Sequence, residues 1–410
     1  MINIKILIVW RGLPRPNHPG HARPFYFIKY YSSTDDITLV SPYHNRETLI
    51  DMPIRYNGVP ERAFKNFFSK ATFSVLRRLT YTNLLYTKDF NVSRQYSPIL
   101  QKKINEVLKK ERFDLIYSDY STSSYLLYFK RKDRIKAPVV LEFTFPTLYA
   151  QRRFLRYGSF RDKILAFLTY LSFRFLEVKR YGLFEAGIYV SKTHLELSKP
   201  FLPKQTFVIP PGVDLEFFRP QPIDSTSPTI IFSGGMNYLP NVASVLHFYS
   251  KIYPYIKREL PNVKFYVVGR EPDNRIKKLS FDPSVIVTGS VNDVRPYFAA
   301  SEVFVNPIII DDGGIKNKVL EAMAMGKAVV STPLGARDIG ATDYENIVIA
   351  RNDREFAEKV VELLKDEKER RRIGNNARKF VEENYSWEKQ SKMLYNVFKE
   401  LVEGNFDELH

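Results

Sequence analysis

Short apolar runs alternate with longer amphipathic stretches along the whole chain. In the first half the runs fall at residues 4–10, 37–42, 114–119, 138–143, 186–191 and 206–212, rich in Val, Ile and Tyr. Their length and the spacing between them predict strands joined by crossover helices, and so a parallel sheet covered on both faces. A second series falls at 230–235, 263–269, 285–290, 303–308, 328–333 and 346–350. Between the two series, residues 219–228 are polar with three prolines, as expected of a linker. The pattern predicts an α/β protein of two Rossmann-like parallel-sheet domains, 1–215 and 216–384, with a terminal segment 385–410. Ligands of such sheets bind at the carboxyl ends of the strands, so two facing domains would make a cleft.

Composition narrows the chemistry. The 410 residues exceed what one core usually serves, and 44% hydrophobic content supports folding nearly throughout. With no cysteine, the chain has no disulfide framework, thiol nucleophile or thiolate metal site. The six histidines, His18, His21, His44, His194, His247 and His410, show no metal-site spacing, so no metal is expected. The apolar start is too short to span a membrane and runs into a glycine and proline loop instead of a cleavage site, which implies a cytoplasmic protein.

The net charge of +17 is unevenly placed. Residues 61–110 carry eleven Lys or Arg against three acids, and residues 151–181 interleave bases with aromatics and leucines. Such a segment suits peripheral contact with an anionic bilayer, where apolar side chains enter the interface and bases meet headgroups. The alternative is a helix packed on its own domain with a solvated basic face. Nucleic acid is not expected, because no helix-turn-helix, finger or single-strand module accompanies the charge.

The densest chemistry lies in IIIDDGGIKNKVLEAMAMGKAVVSTPLG, residues 308–335. A strand should end, a loop should come next, and a helix should run over about 317–325 with Val319, Leu320, Met323 and Ala324 inward. Gly313 and Gly314 allow close approach of a ligand to the backbone. The first-turn N–H groups of the helix suit a diphosphate, and Lys316 and Lys318 add charge-assisted bonds. Glu321, one turn in, can hold the paired hydroxyls of a ribose. The alternative is an ordinary turn with solvated lysines and a surface glutamate.

These residues also carry a resemblance. VIPPGVDLEFFRP (208–220), IFSGGMNYLPNVASV (231–245), VKFYVVGREP (263–272), VIVTGSVNDVRPYFAAS (285–301), GGIKNKVLEAMAMGKAVVST (313–332) and YSWEK (385–389) together resemble the retaining GT-B fold glycosyltransferases of family 4, especially a bacterial exopolysaccharide subgroup. The first half resembles the family in its strand pattern and in the loop LPRPNHPGHARP (13–24). The resemblance implies that the second domain holds a nucleotide diphosphate sugar, UDP- or GDP-linked, and that the first supplies most of the acceptor site. It also implies a C-terminal helix, about 385–400, that crosses back to the first domain on Trp387, Met393, Leu394 and Phe398.

Of the family's paired glutamates, the second matches Glu321, while the first falls on Gly313. Asp311 or Asp312 could reach the vacated space. The usual basic contact after the first strand of the second domain is also missing, leaving Lys316, Lys318 and Arg270 for the diphosphate. Thr288, Gly289, Ser290, Val291 and Asn292 would read the base, while Asp293 and Arg295 fix the next helix. In the first domain Gly20 would approach the diphosphate, His21 offers a donor, and Glu142 stands near the family's acceptor-side acid or histidine; its alternative role is a buried acid paired with an arginine. The reaction implied is transfer of a hexose, with retention, to a hydroxyl of a glycan, which is expected to be lipid-linked. A nucleotide-sugar epimerase and a catalytically silent sugar-binding module are the alternatives.

Overall fold

In the computed structural model the described residues are 3–16, 20–43, 52–60, 98–131, 134–144, 160, 163–164, 167, 181–199, 202–222, 227–311 and 313–404. They form two compact units, Met1–Pro210 with Gln390–His410, and Pro211–Lys389.

Unit 1 is built on β1 (Lys5–Val9), β2 (Asp36–Tyr43), β3 (Arg55–Pro60), β4 (Leu115–Asp119), β5 (Val139–Phe143), β6 (Ala186–Tyr189) and β7 (Gln205–Val208). The sheet is parallel throughout, in the order β3-β2-β1-β4-β5-β6-β7. Both faces are buried, as continuous apolar strands require. Ile6 and Ile8 point into one core with Phe27, Tyr117, Leu394 and Phe398, while Leu7 and Val9 point into the other with Leu100, Ile104 and Leu141. Strand β3 was not evident from the sequence. Its segment RYNGVP carries one strong apolar residue, Val59, and is recruited by pairing along β2.

Unit 2 repeats the plan with β8 (Thr229–Ser233), β9 (Lys264–Val268), β10 (Val285–Gly289), β11 (Val303–Asn306), β12 (Ala328–Ser331) and β13 (Val348–Ile349). The order is β10-β9-β8-β11-β12-β13, again all parallel. Alternate residues of β8 fill opposite cores, Ile230 and Phe232 on one face and Ile231 on the other.

The chain passes between units at Pro210–Pro211, upstream of the proline-rich 219–228 stretch. Phe218 is packed in the core of unit 2, and the Arg378 guanidinium donates to the carbonyls of Leu215, Phe218 and Ala324. The polar stretch therefore comes after a turn already tied into unit 2. The helix Trp387–Glu403 begins in unit 2, and its residues from Gln390 onward belong to unit 1. Leu394 and Phe398 are fully buried there, and Tyr395 stacks on Tyr31 at 4.2 Å while its hydroxyl donates to Asp35. Trp387 does not share that face: it packs on Gly212, where a Cβ would stand 2.5 Å from the indole.

Candidate functional site

In unit 2 the strand order reverses between β8 and β11, and the carboxyl ends of these strands carry the site chemistry. Strand β11 ends at Asn306, whose side-chain amide donates to Ser331 Oγ at 3.0 Å, and the Thr332 hydroxyl donates to the Ile308 carbonyl at 2.8 Å. The loop beyond it is pinned by Asp311, which accepts from the Gly313 N–H at 2.9 Å and from the Arg337 guanidinium. Gly313 turns at φ +74, which a side chain would strain, and the space beside Gly314 is open within 4 Å.

The helix then runs over Asn317–Ala324 with Val319, Leu320, Ala322, Met323 and Ala324 buried, and no side chain caps its start. It ends at Gly326, φ +69, whose N–H bonds the Met323 carbonyl while that of Lys327 bonds Ala322. This leaves the front of the helix, with its free-ended amides, at the carboxyl edge of the sheet.

The two lysines divide. Lys316 is buried and turns its ammonium back on the Gly314 carbonyl, so it braces the loop. Lys318 reaches across to the end of β8: its Nζ is 2.5 Å from Asn241 Oδ1 and 4.0 Å from the Phe232 ring centre. Asn241 in turn donates to the Gly235 carbonyl at 3.0 Å. A cation thus stands over the Gly234–Gly235 turn, in the place where the sequence offered no base after the first strand. Asn241 was missed by sequence reasoning, because its contact with Lys318 spans 77 positions and neither residue signals the other.

Glu321 lies one turn beyond Lys318 on the same helix, half-buried, and burial pushes its carboxyl up to about 7, with Lys318 pulling the other way. Arg270 is exposed, and the Met236 N–H bonds its carbonyl at 2.9 Å, so the turns after β8 and β9 adjoin. Thr288 to Asn292 close β10 at the sheet edge, with Gly289 at φ +70 and open space beside it, and Ser290 and Asn292 exposed. Asp293 fixes the start of the next helix: it accepts from the Arg295 N–H at 2.9 Å and from its guanidinium at 2.7 Å, and that guanidinium lies 3.9 Å from the Phe217 ring.

In unit 1, Glu142 is the last residue but one of β5 and is 1% exposed with both oxygens engaged. Arg23 Nε donates to one at 2.8 Å and the Tyr117 hydroxyl to the other at 2.8 Å. Arg23 also donates to the carbonyls of Ile209 and Pro210. The arrangement fits the alternative reading of Glu142, a buried acid paired with an arginine: the carboxylate is the centre of an ion pair that ties the helix Ala22–Tyr31 to β5 and the end of β7. His21 is half-buried, its ring packed on Gly12 and its Nδ1 3.2 Å from the Leu13 carbonyl. Gly20 adopts φ +79 beside Arg11. Asp312 and His18 lie outside the described residues, as do 61–97 and most of 145–180. Among the described residues no group of three or more acids or histidines could hold a metal, and no helix is long and apolar enough to cross a membrane.

Comparison with known proteins places this geometry. Residues 227–366, which contain the whole of the Lys318–Glu321 arrangement, match the family model described as glycosyl transferases group 1. An uncharacterized 44.6 kDa protein from the cps region of Klebsiella pneumoniae is 22% identical over 97% of this chain and 99% of its own length. The capsular polysaccharide biosynthesis glycosyltransferase CapM of Staphylococcus aureus is 33% identical over 35% of this chain and 40% of its own. Among solved structures, Anabaena HepE in complex with UDP and glucose superposes with a TM-score of 0.63 at 15% identity, over 97% of this chain and 100% of that one. Two all-parallel Rossmann-like sheets, the terminal helix and these matches define the class: the chain is a glycosyltransferase-type enzyme of GT-B architecture. Within that class its residues 227–366 are similar to the glycosyl transferases group 1.

Proposed function

We propose that unit 2 binds a nucleotide diphosphate sugar and that the enzyme transfers its hexose, with retention, to a hydroxyl of a growing glycan. The observation that carries this reading is the placement of Lys318 over the Gly234–Gly235 turn, beside the uncapped start of the helix Asn317–Ala324 and the open face of Gly314. An ammonium, oriented amides and two turns without Cβ atoms together suit a diphosphate. Glu321 is assigned to the ribose hydroxyls, Gly313 and Gly314 with Lys318 to the diphosphate, and Thr288 to Asn292 to the base. Lys316 braces the loop through the Gly314 carbonyl, and Arg270 is assigned to the outer phosphate.

The chemical step breaks the bond between the anomeric carbon and the diphosphate oxygen, which keeps the electron pair. The acceptor hydroxyl forms the new bond on the same face, and its proton passes to the leaving phosphate oxygen. Lys318 and the helix amides stabilise the charge that grows on that oxygen. This route needs no carboxylate at Gly313.

The match to a capsular polysaccharide glycosyltransferase and to a protein of a cps region supports polysaccharide assembly as the setting. A lipid-linked glycan is the acceptor we assign, with the enzyme lying peripherally at an anionic membrane surface through residues 151–181. The test is direct. The full chain is incubated with UDP- and GDP-hexoses and lipid-linked glycan, and the product's anomeric configuration is read by NMR. Donor isomerisation without acceptor would make it an epimerase, and nucleotide binding without turnover a silent module.

A further inference from the structure

Lys318 is steadied by a residue from another helix. Asn241 lies in the first turn of the helix Leu239–His247 and is 6% exposed, although asparagine favours neither burial nor a helix interior. Its Nδ2 donates to the Gly235 carbonyl at 3.0 Å, which turns Oδ1 toward Lys318 Nζ at 2.5 Å. The amide has one workable orientation, because the reverse would set its N–H groups against the ammonium and its oxygen against a carbonyl. The Phe232 ring, whose centre is 4.0 Å from Nζ, meets the same ammonium.

The backbone makes room for this arrangement. A Cβ on Gly234, which turns at φ +146, would stand 2.7 Å from Asn241 Nδ2 and 3.6 Å from Lys318 Nζ. The Asn241 N–H bonds the Tyr238 carbonyl at 2.9 Å, so the residue is held through both its backbone and its side chain. The amide and the ring share one property: both attract an ammonium, and neither bears a formal charge. A carboxylate at position 241 would hold Lys318 more tightly, as ionised partners do, but would cancel the charge that a diphosphate needs.

We propose that Asn241 is a positioning residue for the donor's diphosphate: it fixes the Lys318 ammonium without neutralising it, and an uncharged side chain is required at this place. This rests on the reading of unit 2 as the nucleotide-sugar site. A lysine ends a flexible four-carbon stem that samples many rotamers. Fixing it beforehand removes an ordering cost from binding and holds the charge where the leaving oxygen develops its own. Asn241 acts through the lysine, since both ends of its amide are already engaged. The contact also couples the helix Leu239–His247 to the helix Asn317–Ala324, so the two elements that flank the Gly234–Gly235 turn set the position of one charge.

The test is calorimetry on the full chain with UDP, GDP, inorganic pyrophosphate, uridine and guanosine. Asn241→Ala should weaken binding of the nucleoside diphosphate and of pyrophosphate a few-fold, and Asn241→Asp by about tenfold or more, while nucleoside affinity stays within about twofold. The decisive arm is a double-mutant cycle: in a Lys318→Ala background, Asn241→Ala should change nucleoside diphosphate affinity by less than about twofold. A residue that merely supports the fold would cost the same in both backgrounds, and that outcome overturns the proposal. Wild-type affinity in Asn241→Asp also overturns it, since neutrality would then be irrelevant. If Asn241→Asp does not fold, Asn241→Ala and its cycle decide the matter. If wild type binds neither UDP nor GDP, the nucleotide-site reading itself falls, and this inference with it.

Discussion

At the residue scale, Lys318 and Glu321 lie on one helix, and we assign them to different parts of a nucleotide. Lys318→Ala should weaken UDP or GDP binding by about 1.5–3 kcal/mol and leave the nucleoside nearly untouched, because the lost bonds are charge-assisted contacts to phosphate. Calorimetry with both ligands checks this; equal losses would remove Lys318 from the diphosphate. Glu321 titrates near 7 in the folded protein against an ordinary 4.5, so the folded state holds a proton over that window. Its contribution therefore costs stability progressively as pH rises from about 4.5 to about 7. Glu321→Gln should match wild type in denaturant melts at pH 4 and exceed it at pH 8 without ligand. Nucleoside binding by wild type should strengthen as pH rises through about 7, where the carboxylate forms to accept ribose hydroxyls, and should be flat in the variant. The Glu142–Arg23 pair behaves differently. Removing one partner, as in Glu142→Leu, should cost about 3–5 kcal/mol, while the double change with Arg23→Met should recover most of it. An uncompensated loss in the double variant would mean that the pair does more than hold its neighbours.

At the element scale, the terminal helix is the clearest dependency. Leu394 and Phe398 belong to the same core as Ile6, Ile8 and Phe27 on the first strand and first helix of the chain. Phe398→Ala should destabilise unit 1 by about 3–5 kcal/mol, and truncation after Glu383 should lower its melting temperature further, since an apolar sheet face loses its cover. Unit 2 should melt as before in Phe398→Ala, and hydrogen exchange resolved by segment reads the two separately. The loop before the helix Asn317–Ala324 depends instead on polar pins. The Arg337 contact with Asp311 fixes the Gly313 turn, so Arg337→Ala should raise the KM for donor several-fold with little change in melting.

At the scale of the whole molecule, the charge of +17 separates into two kinds of surface. The described end of the first basic block is the helix Pro98–Lys110, which buries Leu100, Ile104 and Val107 and turns Lys102, Lys109 and Lys110 to solvent. That is an ordinary amphipathic helix on a sheet. Within the second block, Phe160, Ile164 and Phe167 are exposed at 81%, 46% and 52%. Exposed aromatics among bases fit an interface better than water. Anionic liposomes should sediment the chain at low salt and release it at high salt, and changing Arg152, Arg153, Arg156 and Lys163 to Gln should remove most of that difference. Equal recovery with neutral and anionic vesicles would leave the basic block as solvated surface.

The sequence alone determined both sheets, because buried parallel strands are continuous apolar runs whose length and spacing are visible without partners. It also marked the helix Asn317–Ala324 and its glycine turn, since local conformational demands are written in adjacent residues. Strand β3 escaped because its pairing along β2, and not its own pattern, makes it a strand. The tertiary structure decided which of several similar charges does what. Lys316 and Lys318 are two positions apart and equivalent in sequence, yet one bends into its own loop and the other crosses to Asn241. Glu142 and Asp119 are partners in the β4–β5 register, yet Arg23 and Tyr117 hydrogen-bond the first while Ser121 and Arg11 meet the second. Such distinctions depend on neighbours brought together from 25 to 119 positions away, and hydrogen-bond commitment is a property of that neighbourhood and not of the residue.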